Sequence, residues 1–280
     1  MEFCYEIKFN YFKVIIIFQG YINFKNKKIP KVLLGTAPFT AETYFGHRAR
    51  LYELDLYESP ENIAKIIKKA FELGLKGINL NTNEKLINGF EIAISQGVEM
   101  DVIGIIGKTN IDYRFPNMEE GKKADWRGDI EILSKYNLSV IFIDEFIVDS
   151  YDWDLLEEIL MTIKDKGYIP GIITSFPFKT TNKLLKSPII DLFDFYMLPV
   201  NKLGYMMDIE SFSEENRENL SNLVNKLNKK IVINKILAAG IQMPEEAFNF
   251  LKTLSYADMV TIGVSSEKEA EKDFKLLLNI

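Results

Sequence analysis

Eight short apolar runs, rich in β-branched residues, each end in a polar residue or glycine and give way to a stretch with helical spacing. The run ends are Gly35-Thr36, Asn81-Thr82, Lys108-Thr109, Asp149-Ser150, Thr174-Ser175, Pro199-Val200-Asn201, Asn234-Lys235 and Gly263-Val264. Alternation of this kind builds parallel strands joined by crossover helices, and eight units are what a closed (β/α)8 TIM barrel requires. Such barrels keep their chemistry at the C-terminal ends of the strands, so the run ends locate a site before any residue has a role. The length of 280 residues suits one such barrel, and no Pro-, Gly- or Ser-rich linker interrupts the series.

The pattern predicts strands at Lys31–Thr36, Lys76–Asn81, Asp101–Ile106, Phe142–Asp149, Tyr168–Ser175, Phe193–Leu198, Lys230–Ile236 and Asp258–Gly263. Ser59-Pro60-Glu61-Asn62 reads as a helix start with serine at the cap, and Ile63, Ile66, Ile67, Ala70 and Phe71 continue at helical spacing to Gly74. Further helices are expected at Glu84–Gln96, Asp125–Tyr136, Trp153–Lys166, Thr180–Leu185, Glu214–Leu227, Glu245–Leu254 and Glu267–Leu278. Residues 1–29 form an N-terminal extension ahead of the barrel at 30–280. The extension reads as a β-hairpin on the barrel floor, with Val14–Phe18 and Tyr21–Phe24 as arms around Gln19-Gly20.

A formal charge of −6 speaks against a general nucleic-acid binder, whose phosphate contacts need clustered basic surface. Cys4 is the single cysteine, which excludes an intrachain disulfide and a cysteine-based zinc site and fits a reducing, cytoplasmic compartment. The apolar run Val14–Phe18 is too short to span a bilayer or to serve as a secretory signal, so no membrane partner is expected.

Three strand ends carry the first candidates for chemistry. Lys108 closes an otherwise apolar strand, and Asp149 closes the predicted neighbouring one, so the two form an acid/base pair or a salt bridge on the rim. Asp144 falls early in that predicted strand and reads as structural, near the floor. At the seventh strand end, alternation lets either Asn234 or Lys235 point inward, and a buried lysine there can form a Schiff base with a carbonyl compound.

The loops after strands seven and eight commonly form a phosphate site, which makes Gly240, Gly263, Ser265 and Ser266 candidate ligand contacts. Ser265 or Ser266 also suits a helix N-cap, with Glu269 available for a capping box. On the long first loop, His47, Arg48 and Arg50 can cover an anionic ligand. One histidine without convergent carboxylates gives no metal site.

The order of strand-end residues over 31–280 resembles the aldo/keto reductase superfamily. The likeness is carried by Leu34-Gly35-Thr36-Ala37, Gly77-Ile78-Asn79-Leu80-Asn81-Thr82, Gly107-Lys108-Thr109, Ile143–Asp149 and Ile173-Thr174-Ser175-Phe176. It continues through Asp194–Asn201, Leu237-Ala238-Ala239-Gly240 and Ile262-Gly263-Val264-Ser265-Ser266. The resemblance implies an α/β barrel, carbonyl reduction with a nicotinamide dinucleotide, and a Tyr, Lys, Asp and His tetrad. Of that tetrad only Lys108 is present: Asn81 stands at the aspartate, Asp149 at the histidine, and Asn83–Leu86 holds no tyrosine. The usual Ser-Asn clamp on the nicotinamide carboxamide reads Thr174-Ser175, Met197 replaces the glutamine, and Asn234-Lys235 supplies no stacking aromatic. The likeness also places Asn201 and Lys235 among the cofactor contacts.

A thioether cannot donate to a carboxamide, and hydride transfer without a phenolic acid lacks its proton partner. Tyr44, Tyr52 and Tyr57 on the first loop offer a phenol from another direction. Three readings follow. One is an atypical enzyme on a small anionic or phosphorylated carbonyl compound, with Lys108 and Asp149 in the acid/base role and Asn81 beside them. Another is an NADP-dependent oxidoreductase with a relocated proton donor. The third is a catalytically inactive barrel that binds a nucleotide or a protein. The cofactor stays open, NADP being the one the resemblance allows, and so does the oligomeric state.

Overall fold

A strand buried on both faces needs apolar side chains in both directions, and the barrel strands here meet that demand. The computed structural model describes residues 18–278. Two strands, β1 (Tyr21–Phe24) and β2 (Lys27–Pro30), form an antiparallel hairpin. The next eight are β3 (Val32–Gly35), β4 (Gly77–Leu80), β5 (Asp101–Ile106), β6 (Leu138–Ile143), β7 (Ile169–Ile173), β8 (Phe195–Pro199), β9 (Lys230–Asn234) and β10 (Met259–Gly263). All eight pair in parallel and close on themselves, β10 lying beside β3. This is the (β/α)8 TIM barrel expected from the repeat, with a separate two-stranded sheet ahead of it.

Alternation divides each strand between two cores. Leu33, Ile103, Val140, Phe142, Phe195, Met197, Val232 and Met259 fill the barrel. Their neighbours Leu34, Val102, Ile141, Ile143, Tyr196, Leu198, Ile231 and Val260 face the helices. Gly171 on β7 makes the interior possible: a Cβ there would lie 2.6 Å from the Phe142 ring.

The hairpin turns at Lys25-Asn26, where φ is +45° and +64°, the left-handed pair that a tight two-residue turn demands. Tyr21–Phe24, expected as a second arm, is the first arm of this hairpin. Of the other expected arm, Val14–Phe18, all but Phe18 lies outside the described residues. Phe24 packs edge-on against Phe195 at 5.3 Å, Ile29 is fully buried among the barrel side chains, and Lys25 pairs with Asp194 at 2.6 Å. Because Asp194 precedes β8, these contacts set the hairpin against the N-terminal end of the barrel, opposite the strand ends that carry chemistry.

One strand was predicted in the wrong place. The fourth barrel strand is β6 at Leu138–Ile143, and Glu145–Val148 is a short buried helix, so Phe142–Asp149 is not a strand. Two apolar runs flank Asp144-Glu145, and a short buried run carries no periodicity that separates strand from helix. Elsewhere the differences are small, and the helices Glu214–Leu227 and Glu267–Leu278 have the expected ends. The long first loop carries the short helices Thr43–Phe45, His47–Tyr52 and Glu53–Tyr57. Ser59 starts the helix Pro60–Glu72 through its backbone carbonyl alone, since its side chain makes no cap bond.

The Gly171→Ala variant is expected to lose about 1–3 kcal/mol of unfolding free energy, the usual range for overpacking a filled core. Urea denaturation checks this, and pairing the change with Phe142→Leu should recover part of the loss.

Candidate active site at the barrel mouth

Strand ends and the first loop surround a cavity of about 600 Å³ at the C-terminal mouth of the barrel. Lys108 reaches it from the end of β5, just past Gly107, whose φ of +76° turns the chain there. The Gly107 amide donates to Asp129 Oδ2 at 2.7 Å, and a Cβ at Gly107 would run into Ile147. The lysine is thus aimed by a position that tolerates only glycine.

Lys108 Nζ donates to the Tyr113 hydroxyl at 2.9 Å and lies 3.3 Å from Glu42 Oε1 and 3.8 Å from Asp144 Oδ2. Burial works against its charge, but Glu42, Asp144 and Glu145 outweigh it and hold the ammonium above its ordinary value. Tyr113 in turn donates to Glu145 Oε1 at 2.5 Å, and Lys235 Nζ lies 3.7 Å from the same oxygen. Rings of Tyr44 and Tyr113 stand perpendicular at 5.1 Å, and Lys235 Nζ lies 5.2 Å from each centroid. One connected cluster therefore links the first loop, the loop after β5, the end of β6 and the end of β9.

The two adjacent carboxyls of that cluster are driven apart. Burial and the neighbouring Glu145 raise Asp144 well above the carboxylate range, with Lys108 opposing them. Burial pushes Glu145 the same way, yet Lys235, Lys108 and the Tyr113 hydroxyl overcome it and hold Glu145 below that range. Burial also raises Tyr113 and Tyr44, with nearby carboxylates adding to the shift.

Several buried polar atoms lining this cavity have no hydrogen-bond partner: Asp144 Oδ2, Asn234 Oδ1, Lys235 Nζ, both amide atoms of Gln242, and Thr261 Oγ1. Buried polar atoms are nearly always paired, so their convergence on one cavity marks a place for a polar ligand. Among the described residues no group of three or more histidine, cysteine, aspartate or glutamate side chains is arranged to hold a metal ion.

The predicted residues divide. Lys108, Asn81, Lys235, Gly240, Gly263 and Ser265 line the cavity; Asp149, Thr174, Ser175, Asn201 and Ser266 do not. Asp149 does not pair with Lys108. It follows the short helix and accepts from Thr174 Oγ1 at 2.6 Å, Thr180 Oγ1 at 2.7 Å and the Ser175 amide at 2.8 Å. Asp144, expected near the floor, takes its place at the mouth because the strand ends six residues earlier than Asp149 suggests. Asp144, not Asp149, is therefore the residue that directly follows the fourth barrel strand.

Alternation does not decide between Asn234 and Lys235, because β9 ends at Asn234 and Lys235 has φ +55°; both line the cavity. Asn81 Oδ1 accepts from the Asn83 amide at 3.0 Å, and Asn201 is spent on a local turn with Tyr205. Arg48 lines the cavity and donates to the carbonyls of Gly240 and Ala239, whereas His47 and Arg50 are exposed. Tyr113, Glu42 and Glu145 were missed. Their signal was position alone, as titratable side chains on loops that follow strand ends.

In the turn after β10 both donors of Ser265 are engaged within the chain. The amide and hydroxyl of Ser265 both donate to Glu269 Oε2 at 2.8 Å, and the Ser266 hydroxyl accepts from the Glu269 amide at 3.1 Å. Ser266 caps the helix, but the Glu269 carboxylate reaches back to Ser265 and not to the Ser266 amide, so only half of the expected capping box forms. Asp273 also lines that side of the cavity.

No family model and no curated protein matches the chain. Solved structures do. A protein assigned as an aldo-keto reductase from Pseudomonas aeruginosa matches with TM-score 0.61 at 12% identity, over 95% of both chains. An aldo/keto reductase from Brucella melitensis matches with TM-score 0.56 at 11% identity, over 91% of this chain and 92% of that one. A variant of Gox0644 solved with NADPH matches with TM-score 0.58 at 11% identity, over 92% and 88%. Likeness at this identity establishes the fold: the chain is a barrel built like those of the aldo-keto reductases. Of the residues expected to hold a nicotinamide dinucleotide, Lys235, Gly240, Gly263 and Ser265 line the cavity, while Thr174 and the Ser175 amide engage Asp149 and Ser265 engages Glu269.

Burial pushes the Asp149 carboxyl up to about 7, although hydrogen bonds from Thr174, Ser175 and Thr180 pull it down. A carboxyl raised on folding favours the native state while protonated, so its contribution is complete below about pH 4 and fades as pH rises through its folded value. The Asp149→Asn variant should flatten the fall in stability across that window, by on the order of 4 kcal/mol at most. Urea midpoints of both proteins from pH 4 to pH 8 measure the slope, and parallel profiles would contradict the assignment.

Proposed function

We propose that the protein is an enzyme that moves protons on a small carbonyl compound, with Asp144 as acid and base. The observation that supports this most is Asp144, a residue that lines the cavity: its Oδ2 is buried, without a hydrogen-bond partner, 3.8 Å from a lysine ammonium. Raised by burial, this carboxyl is poised to take a proton and return it nearer neutral pH than an exposed aspartate can. The Lys108 ammonium supplies positive charge beside it, suited to an oxygen that becomes anionic as the carbonyl enolises.

The charges of the lining are nearly balanced and select neither for nor against a phosphate group. Glu42, Asp144, Glu145, Glu269 and Asp273 stand against Arg48, Lys108, Lys235 and Lys272. A specific observation supports a second reading, reduction with a relocated proton donor: Tyr113 lies 2.9 Å from Lys108, a lysine–phenol pair like the one the reductase tetrad uses. Against it, the Tyr113 proton is directed to Glu145, and Thr174 and Ser265 among the expected cofactor contacts donate to carboxylates.

Proton exchange in D2O tests the reading. A panel of small ketones and aldehydes followed by proton NMR should show catalysed loss of the α-hydrogen signal for at least one compound. The Asp144→Asn and Lys108→Met variants should each slow it by roughly 10²–10⁴, the usual worth of a positioned acid or base. Oxidation of NADPH by the same panel, with no exchange in its absence, would favour the reductase and overturn the proposal.

A further inference from the structure

Lys108 and Lys235 enter one cavity under different conditions. Lys108 has the Tyr113 hydroxyl, Glu42 and Asp144 within 3.8 Å and is committed to that network. The Lys235 side chain is 8% exposed, and its Nζ has no hydrogen-bond acceptor. Its one acidic neighbour, Glu145 Oε1 at 3.7 Å, already accepts the Tyr113 hydroxyl. Aromatic faces of Tyr44 and Tyr113 form further walls around it. The backbone is held in a strained region to put it there. Lys235 has φ +55°, and Ala238, Ala239 and Gly240 follow with φ of +48°, +55° and +78°. Non-glycine residues in that region cost free energy and collect at functional sites.

We infer that Lys235 is a covalent nucleophile whose Nζ forms a Schiff base with the carbonyl substrate. This rests on the reading of the cavity as a site for carbonyl compounds. Nζ gives a proton to a cavity carboxylate and adds to the carbonyl carbon, and the former carbonyl oxygen takes up a proton to give a carbinolamine. A second proton reaches that oxygen and the C–O bond breaks, releasing water and leaving an iminium between Nζ and carbon. The sum is an ammonium plus a carbonyl going to an iminium plus water. Charge is unchanged and nothing is oxidised or reduced, so no further reactant is needed.

The site suits each part of this sequence. Because the iminium carries the same charge as the ammonium it replaces, Glu145 stabilises both, and the buried ion pair survives the reaction. Asp144, the carboxyl available to protonate the departing oxygen, lines the same cavity as Lys235. Once formed, the iminium draws electrons from the adjacent carbon more strongly than the parent carbonyl does, which lowers the demand on Asp144 as base.

Reductive trapping tests the inference on the intact chain. The protein is incubated separately with pyruvate, glyceraldehyde and dihydroxyacetone, reduced with sodium borohydride, and analysed by intact mass and peptide mapping. The expected result is one reduced adduct with at least one probe, on the peptide holding Lys235, at roughly tenfold or more the occupancy of any other lysine. Lys235→Arg keeps a positive charge beside Glu145 but cannot form an iminium, and should remove that adduct. Adducts spread over surface lysines, an adduct on Lys108, or none with any probe would overturn the inference. A protein that exchanges α-hydrogens in D2O but is not trapped at Lys235 loses the covalent step and keeps the acid–base reading. One that does neither loses both.

Discussion

Keeping the Lys108 ammonium charged inside the barrel mouth is the requirement around which the rest of the site is arranged. A buried cation is costly unless opposite charge and hydrogen bonds offset its lost hydration. Glu42 from the first loop, Asp144 from the end of β6 and Tyr113 from the loop after β5 meet that cost together. Each comes from a different βα connection, so pairing the lysine also fixes the loops that wall the cavity. Tyr113 is further held by the Thr43 hydroxyl, which accepts from its amide at 3.2 Å, and by Phe146 and Tyr44 against its ring. The same demand recurs for Glu145, which Lys235 and the Tyr113 hydroxyl keep ionised.

Around that network other rim groups are bonded to one another. Lys108 stands just past the end of β5 with a phenol beside it. Asp149 gathers Thr174, Thr180 and the Ser175 amide into a buried knot outside the cavity. Glu269 closes the turn after β10. The residues lining the cavity include Asp144, Asn234, Lys235, Gln242 and Thr261, each with a buried polar atom that has no hydrogen-bond partner.

The barrel was legible from the sequence because a parallel strand buried on both faces leaves an apolar run, and a crossover helix leaves a 3.6-residue period. Lys108 was legible for the same reason, as a lone charge at the end of such a run. Asp144 was misread because Phe146–Val148 is as apolar as a strand, although it forms a buried helical turn capped by Asp144 itself. Tyr113 and Glu42 lie on irregular loops, where no periodicity reports which way a side chain points. Lys235 was ambiguous because a left-handed backbone, which lysine sequence signals do not reveal, replaces strand alternation.

The central claim is that adjacent buried carboxyls, Asp144 and Glu145, are driven in opposite directions by their surroundings. Carboxyl-labelled NMR of the aspartates and glutamates, assigned with Asp144→Asn and Glu145→Gln, reads this directly. The account predicts that Glu145 stays ionised below the usual carboxylate range while Asp144 takes up its proton well above it. Titration of both groups together, within the ordinary range for exposed carboxylates, would contradict it.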